Sequence, residues 1–272
     1  MKWLMNKAAL SSVETRLEHG TRVLLFMNFD SILAPRAAGR HSQPLDTPQR
    51  NRLREISEIS RLTLTLISDL DLGSLRKMAG FSGSYLIANY GLEISGPDLN
   101  VVHSEAKRFR THLAKVLPPL RDKLKTLPNV VLEDRGLAAA LDFSAAKPAV
   151  QRRTRLVAEE AWTALMDRFI LMEKNKEMIL RPRVGWNKGR AVMFLWNKFA
   201  SPRRRPVVVY LGSDEGDDDV YNVMGREGVG IAVGSETKVA HAKAGYFLKN
   251  RAEVNRFLNW LNERLARQHA PA

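Results

Sequence analysis

The stretch RVLLFMNF, residues Arg22–Phe29, is an apolar run without alternation. Such a run suits a strand covered on both faces, as strands of a parallel sheet are. A polar, proline-bearing segment follows it, and then helical spacing around Pro48–Ser60. A second run, LTLTLIS (Leu62–Ser68), leads into a short helix through Leu75–Met78. A third, YLIANY (Tyr85–Tyr90), completes a β-α-β-α-β alternation. That order predicts a doubly wound parallel sheet, whose ligand sites lie at the carboxyl ends of its strands. Ahead of the first run, residues 4–19 carry helical spacing and stop at Gly20.

From about residue 96 the texture changes. A long helical pattern spans Ser104–Leu127, and Val130–Phe143 reads as two strands turned at Arg135-Gly136. Another helix covers Ala149–Arg168, and Phe169–Arg181 reads as a strand pair broken at Lys174-Asn175-Lys176. Strand pairs and helices without parallel alternation predict an inserted α+β unit. After Gly185 the first texture returns. A helix runs from Lys188 to Phe199, buried strands fall at Pro206–Gly212 and Val229–Val233, and an amphipathic helix covers Ala252–Ala266. The expectation is an α/β protein with a core domain at 1–95 and 186–272 and an α+β cap domain at 96–185.

Composition narrows the chemistry. Hydrophobic residues make up 44% and charged residues 26%, which is enough to bury an ordinary core. Cysteine is absent, so disulfides, thiol nucleophiles and cysteine-ligated metals are excluded. The opening MKWLMNKAAL meets Ser11, Glu14 and Arg16 too soon for a signal peptide, and no stretch reaches the roughly 18 apolar residues of a membrane span. A cytoplasmic protein without a membrane partner is expected. The net charge of +14 is spread along the chain, with one block at Arg203, Arg204 and Arg205 between prolines. No zinc-finger spacing, RNA-binding aromatic signature or basic zipper accompanies it, so it reads as a solvated basic surface rather than a nucleic-acid footprint.

The chemistry-bearing residues fall at strand ends and at one helix start. The first strand ends in Asn28-Phe29-Asp30-Ser31-Ile32-Leu33-Ala34-Pro35, the second in Ser68-Asp69-Leu70, and the third in Asn89-Tyr90-Gly91-Leu92-Glu93. Arg181-Pro182 precedes Asn187-Lys188-Gly189, and the fourth strand ends in Gly212-Ser213-Asp214-Glu215-Gly216-Asp217-Asp218-Asp219. In this order they resemble the motifs of the trehalose-6-phosphate phosphatases of the haloacid-dehalogenase (HAD) superfamily. Those motifs read D-x-D-G-T-L-A-P, S-G-R, N-H-G-L-E, R-P…N-K-G and G-D-D-x-T-D-E-D. Thr237, Ala242, Leu248, Val254 and Phe257-Leu258 follow the family's closing pattern too. The resemblance covers nearly the whole chain and implies a HAD-type Rossmann-like core with a cap.

It also implies roles. A carboxylate at position 28 would attack phosphorus and form an aspartyl-phosphate, and Asp30 would serve as acid and base. Ser68 and Lys188 would hold the phosphoryl group, and Mg²⁺ would sit among positions 28, 30, 213 and 214. Against that pattern, Asn28 puts a neutral amide at the nucleophile and Ser213 replaces a metal carboxylate. With about two negative charges gone, weak or absent Mg²⁺ binding is expected, although Asp214 and Asp217 remain. Lys188 is left either to bind an anion or to pair with Asp30 or Asp214.

In the cap, Glu133-Asp134-Arg135-Gly136 resembles the family's E-D-K-G, which implies sugar contacts from Glu133 and Arg135. Ser144, Asp142 and Ile179 stand where the family has a sugar-phosphate arginine, a histidine and a sugar-binding glutamate. The resulting expectation is a pseudophosphatase that binds a phosphorylated sugar, another small phosphate ligand or a protein partner. An active sugar-phosphate phosphatase and a basic scaffold for nucleic acid or an acidic protein are the alternatives.

Overall fold

The computed structural model describes residues 1–34, 43–174, 176–201, 205–213 and 217–267. They form two compact units, one of residues 1–34, 43–100 and 186–267, the other of residues 101–185. Among the described residues no helix is long and apolar enough to cross a membrane.

The first unit is built on a parallel sheet. Its centre is β2 (Val23–Asn28), flanked by β3 (Leu62–Ile67) and β11 (Val207–Gly212). All six residues of β2 and of β3 are buried, as unbroken apolar runs require. Beyond β3 lies β4 (Tyr85–Ala88), and beyond β11 lie β12 (Val229–Val233), β13 (Tyr246–Leu248) and β1 (Lys2–Trp3). Every pair from β1 through β4 in this order is parallel. An antiparallel strand, β5 (Glu93–Gly96), pairs with β4, and β6 (Leu99–Val102) ends the sheet. The sheet thus continues past the point where the sequence texture changes. Each of these last strands has only four residues, too few to show a period.

Helices α1 (Lys7–His19), α2 (Thr47–Ser57), α3 (Leu72–Ala79), α7 (Lys188–Phe199) and α10 (Arg251–Arg267) accompany the sheet. The leading helix begins at Lys7 rather than residue 4, because Asn6 caps it by accepting from Ala9 N at 2.8 Å while Lys2–Trp3 is taken up as a strand. Asp71 and Asn187 cap α3 and α7 in the same way, at 2.9 and 3.0 Å. The expectations had no counterpart for β1, β13 or the short helices α8 (Asp218–Met224) and α9 (Glu236–Val239).

The second unit is an antiparallel sheet in the order β7 (Val131–Asp134), β8 (Ala139–Asp142), β10 (Glu177–Pro182), β9 (Phe169–Lys174), with helices on its apolar face. The single helix expected over 104–127 is two, α4 (Ser104–Arg108) and α5 (Arg110–Leu124). They part at Phe109, whose ring lies 5.6 Å from Phe169. Leu113, Leu117, Leu120 and Leu124 of α5 pack against Val157, Ala158 and Trp162 of α6 (Pro148–Trp162) in a core separate from that of the first unit.

Candidate functional site

The carboxyl ends of β2, β3 and β11 bring Asn28, Ser68 and Ser213 to one edge of the sheet. After β2 the chain enters a wide turn, Phe29–Leu33, and Asn28 caps it by accepting from Ser31 N at 3.3 Å. That bond leaves the amide nitrogen facing the other way, where Nδ2 donates to Asp217 Oδ1 at 2.8 Å. Asp217 is 1% exposed. Its Oδ1 also accepts from the Tyr210 hydroxyl at 2.6 Å, and its Oδ2 accepts from Ser213 N at 2.8 Å. A buried carboxylate with three donors is well satisfied without a cation.

Asp30 belongs to the same network. Its Oδ2 accepts from Ser68 Oγ at 2.7 Å and from Asp69 N at 2.8 Å, while Ser68 Oγ accepts from Leu70 N at 3.0 Å. Lys188 arrives from the first turn of α7. Its Nζ lies 2.6 Å from Asp69 Oδ1 and 3.9 Å from Asp217 Oδ1. Burial alone would pull this ammonium down, but the charges of Asp69 and Asp217, with Asp30 behind them, hold it above the ordinary lysine range. Burial and then the Asp217 charge push the Tyr210 hydroxyl well above the usual tyrosine value.

Two glycines set Lys188 in place. Gly91 has φ +95°, and a Cβ there would come within 2.7 Å of Asn187 O. It follows Asn89 and Tyr90, also left-handed at φ 52° and 60°, in a turn tied down by Asn89 Nδ2 donating to Glu93 Oε2 at 3.2 Å. Trp186 Nε1 donates to Gly91 O at 2.7 Å and closes the same contact. On the other side, a Cβ at Gly189 would lie 2.3 Å from Asp219 O, so α7 and α8 approach closely only because this residue has no side chain.

Of the residues singled out from the sequence, Asn28, Asp30, Ser68, Lys188 and Ser213 join one network, and Asp214 lies outside the described residues with Glu215, Gly216, Arg203 and Arg204. The expected lysine partner is corrected. Lys188 pairs with Asp69, which stands where the phosphatase motif has glycine, rather than with Asp30; the expected Asp214 lies outside the described residues. Tyr210 gave no signal within the apolar run VVVYLG. In the second unit, Arg135 is 3% exposed and its guanidinium meets Glu133 at 2.6 Å and Glu177 at 3.0 Å. Glu133 and Arg135 are therefore engaged with each other within that unit.

The described donors do not by themselves make a Mg²⁺ site. Asn28 turns its amide nitrogen toward Asp217, Asp30 Oδ2 is taken by two donors, and an ammonium already stands among the carboxylates. Among the described residues no group of three or more histidine, aspartate or glutamate side chains could hold a metal ion. Hard divalent cations need several anionic oxygens converging on one point.

A family model described as trehalose-phosphatase matches residues 26–252. The chain belongs to the trehalose-phosphatase family. Its fold, a Rossmann-like core with an α+β cap, is like that of a haloacid dehalogenase-like hydrolase of known structure. Trehalose-phosphate phosphatase B of Arabidopsis thaliana is 23% identical over 256 residues, spanning 90% of this chain and 67% of that protein. Among solved structures, a trehalose-6-phosphate phosphatase related protein superposes with a TM-score of 0.77 at 14% identity, covering 90% of this chain and 99% of that one. The C-terminal domain of a Candida albicans trehalose synthase regulatory protein superposes at 0.63 with 14% identity, covering 93% and 97%. At such identities the structural likenesses speak for the fold alone.

Proposed function

We propose that this trehalose-phosphatase family member is a pseudophosphatase, silent in phosphoryl transfer, which binds a phosphorylated sugar or a protein partner in a regulatory role. The observation that carries the reading is the bond from Asn28 Nδ2 to Asp217 Oδ1. At the position where a phosphatase needs an attacking carboxylate, the chain has an amide that acts as a hydrogen-bond donor to a buried acid. An amide oxygen is a poor nucleophile and forms no stable acyl-phosphate. The network also holds its own cation. A phosphate ester seeking Lys188 must compete with Asp69 at 2.6 Å, with Asp30 and Asp217 adding negative charge nearby.

The competing reading is an active sugar-phosphate phosphatase, favoured by the matching family model and by Asp30, Ser68 and Lys188 sharing one network. The fold itself is found both in a protein named as a phosphatase-related protein and in one named as regulatory, so it does not decide between them. Calorimetric titration with trehalose-6-phosphate, beside a phosphate-release assay on the same preparation, does. Binding without release supports the proposal, and release at enzymatic rates overturns it.

A further inference from the structure

A second basic feature shares no residue with the Lys188 network, its nearest link being Tyr221, whose ring meets Tyr210 edge to face at 5.3 Å. A cavity of about 320 Å³ opens beside the amino ends of β12 and β13 and the turn that follows α8. Its floor is apolar and aromatic. Met224 and Tyr221 lie across the start of β12, where a Cβ at Gly228 would fall 2.5 Å from Met224 Cε and one at Gly230 would fall 2.9 Å from Tyr221 Cδ1. Four cationic side chains line it: Lys2, Arg16, Arg226 and Lys243. Among the described residues no carboxylate does.

These four come from four separate segments, so the fold, not a local run of sequence, gathers them. Arg16 is anchored, its Nη1 donating to Arg226 O and Gly228 O at 3.1 Å each. Lys243 has one partial counter-ion, Asp218 at 3.8 Å. Among the described residues neither Lys2 nor Arg226 has a carboxylate partner. Like charges gathered without counter-ions repel one another, and a cavity concentrates their field. A polynucleotide would call for a strip of cations along a surface, whereas cations converging on one small cavity suit a compact anion.

We propose that this cavity is a binding site for a small metabolite carrying two or more phosphoryl charges, separate from the Lys188 network. Lys2, Arg226 and Lys243 would meet the phosphoryl oxygens, with Arg16 fixing the rim and Tyr221 and Met224 forming an apolar floor. The site goes beyond the pseudophosphatase reading and does not depend on it.

The test is calorimetric titration of the full chain with inorganic pyrophosphate, at two salt concentrations. Wild-type protein should bind, more weakly at high salt as exposed ion pairs are screened. Arg226→Gln combined with Lys243→Gln should weaken binding by at least about tenfold, because two charge-assisted contacts are lost. Both side chains are exposed, so the melting temperature of that variant should match wild type. Lys188→Gln should leave pyrophosphate affinity within about twofold, since separate sites are nearly additive. Absence of binding would overturn the proposal. So would binding indifferent to the double substitution, binding lost only in Lys188→Gln, or displacement of pyrophosphate by single-stranded DNA with affinity rising with its length.

Discussion

Replacing Asn28 by aspartate restores the family's residue, and the geometry makes it costly. The new carboxylate would face Asp217 Oδ1 at the present 2.8 Å separation. Two unit charges at that distance repel by about 6 kcal/mol at an effective dielectric of about 20. The protein has a cheaper escape, which is to take up a proton at position 28 and recover a hydrogen bond to Asp217. Holding an aspartic acid protonated at pH 7, against an unfolded pKa of about 3.9, costs about 4 kcal/mol, and that sets the penalty. The folded pKa of the new group is raised, so the destabilisation is largest at neutral pH and shrinks as pH falls toward the unfolded value. It should drop by about 1.4 kcal/mol per pH unit, to about 1.5 kcal/mol at pH 5. Urea unfolding of wild type and Asn28→Asp at pH 5, 6 and 7, with a chelator present, measures the difference directly. Equal stability at pH 7, or a deficit independent of pH, would show that Asn28 does not donate to Asp217 as described.

Asp69→Asn removes the charge beside Lys188 and should raise affinity for inorganic phosphate at least about tenfold over wild type, a gain that a second change, Lys188→Gln, should abolish. In wild type the raised lysine pKa means the stability it contributes is fully present below the unfolded value of about 10.4 and is lost only as pH rises beyond it. Denaturant melts between about pH 8 and 12 should show a smaller loss above the unfolded value in Asp69→Asn, because without the Asp69 charge the folded lysine pKa is raised less. Gly189→Ala forces a methyl group against Asp219 O and should cost about 1–3 kcal/mol in unfolding experiments, with α7 displaced. Arg135→Ala leaves Glu133 and Glu177 facing each other without their shared cation and should destabilise the second unit by about 3 kcal/mol. Hydrogen exchange should show that loss in residues 101–185 while the first unit keeps its protection.

Much of this architecture is legible from local pattern. The runs around Leu24, Leu64 and Val209 are buried on both faces of the sheet, and burial on both faces is what an unbroken apolar run records. Short elements escape the same reading. Lys2–Trp3 and Tyr246–Leu248 are too short to show a period, and the helix at Asp218–Met224 begins inside an acidic stretch that reads as a turn. At the site, Asn28, Ser68 and Lys188 are found from motif order because each sits at a strand end or a helix start. Their partners are not. That Asp69 meets Lys188 depends on how close the end of β3 comes to the start of α7, a distance set by Gly91 and Gly189. That Tyr210 donates to Asp217 depends on which face of β11 its ring takes, and an all-apolar strand conceals its faces.

The central claim, that the site is silent in phosphoryl transfer, is tested most directly by phosphate release from trehalose-6-phosphate. Wild-type protein and Lys188→Ala should be assayed side by side, with and without millimolar Mg²⁺, with mass spectrometry confirming that Asn28 is not deamidated. The account predicts equal release from both proteins at the uncatalysed background, unchanged by Mg²⁺, because an amide at position 28 cannot attack phosphorus. Mg²⁺-dependent release by wild type that disappears in Lys188→Ala would contradict it.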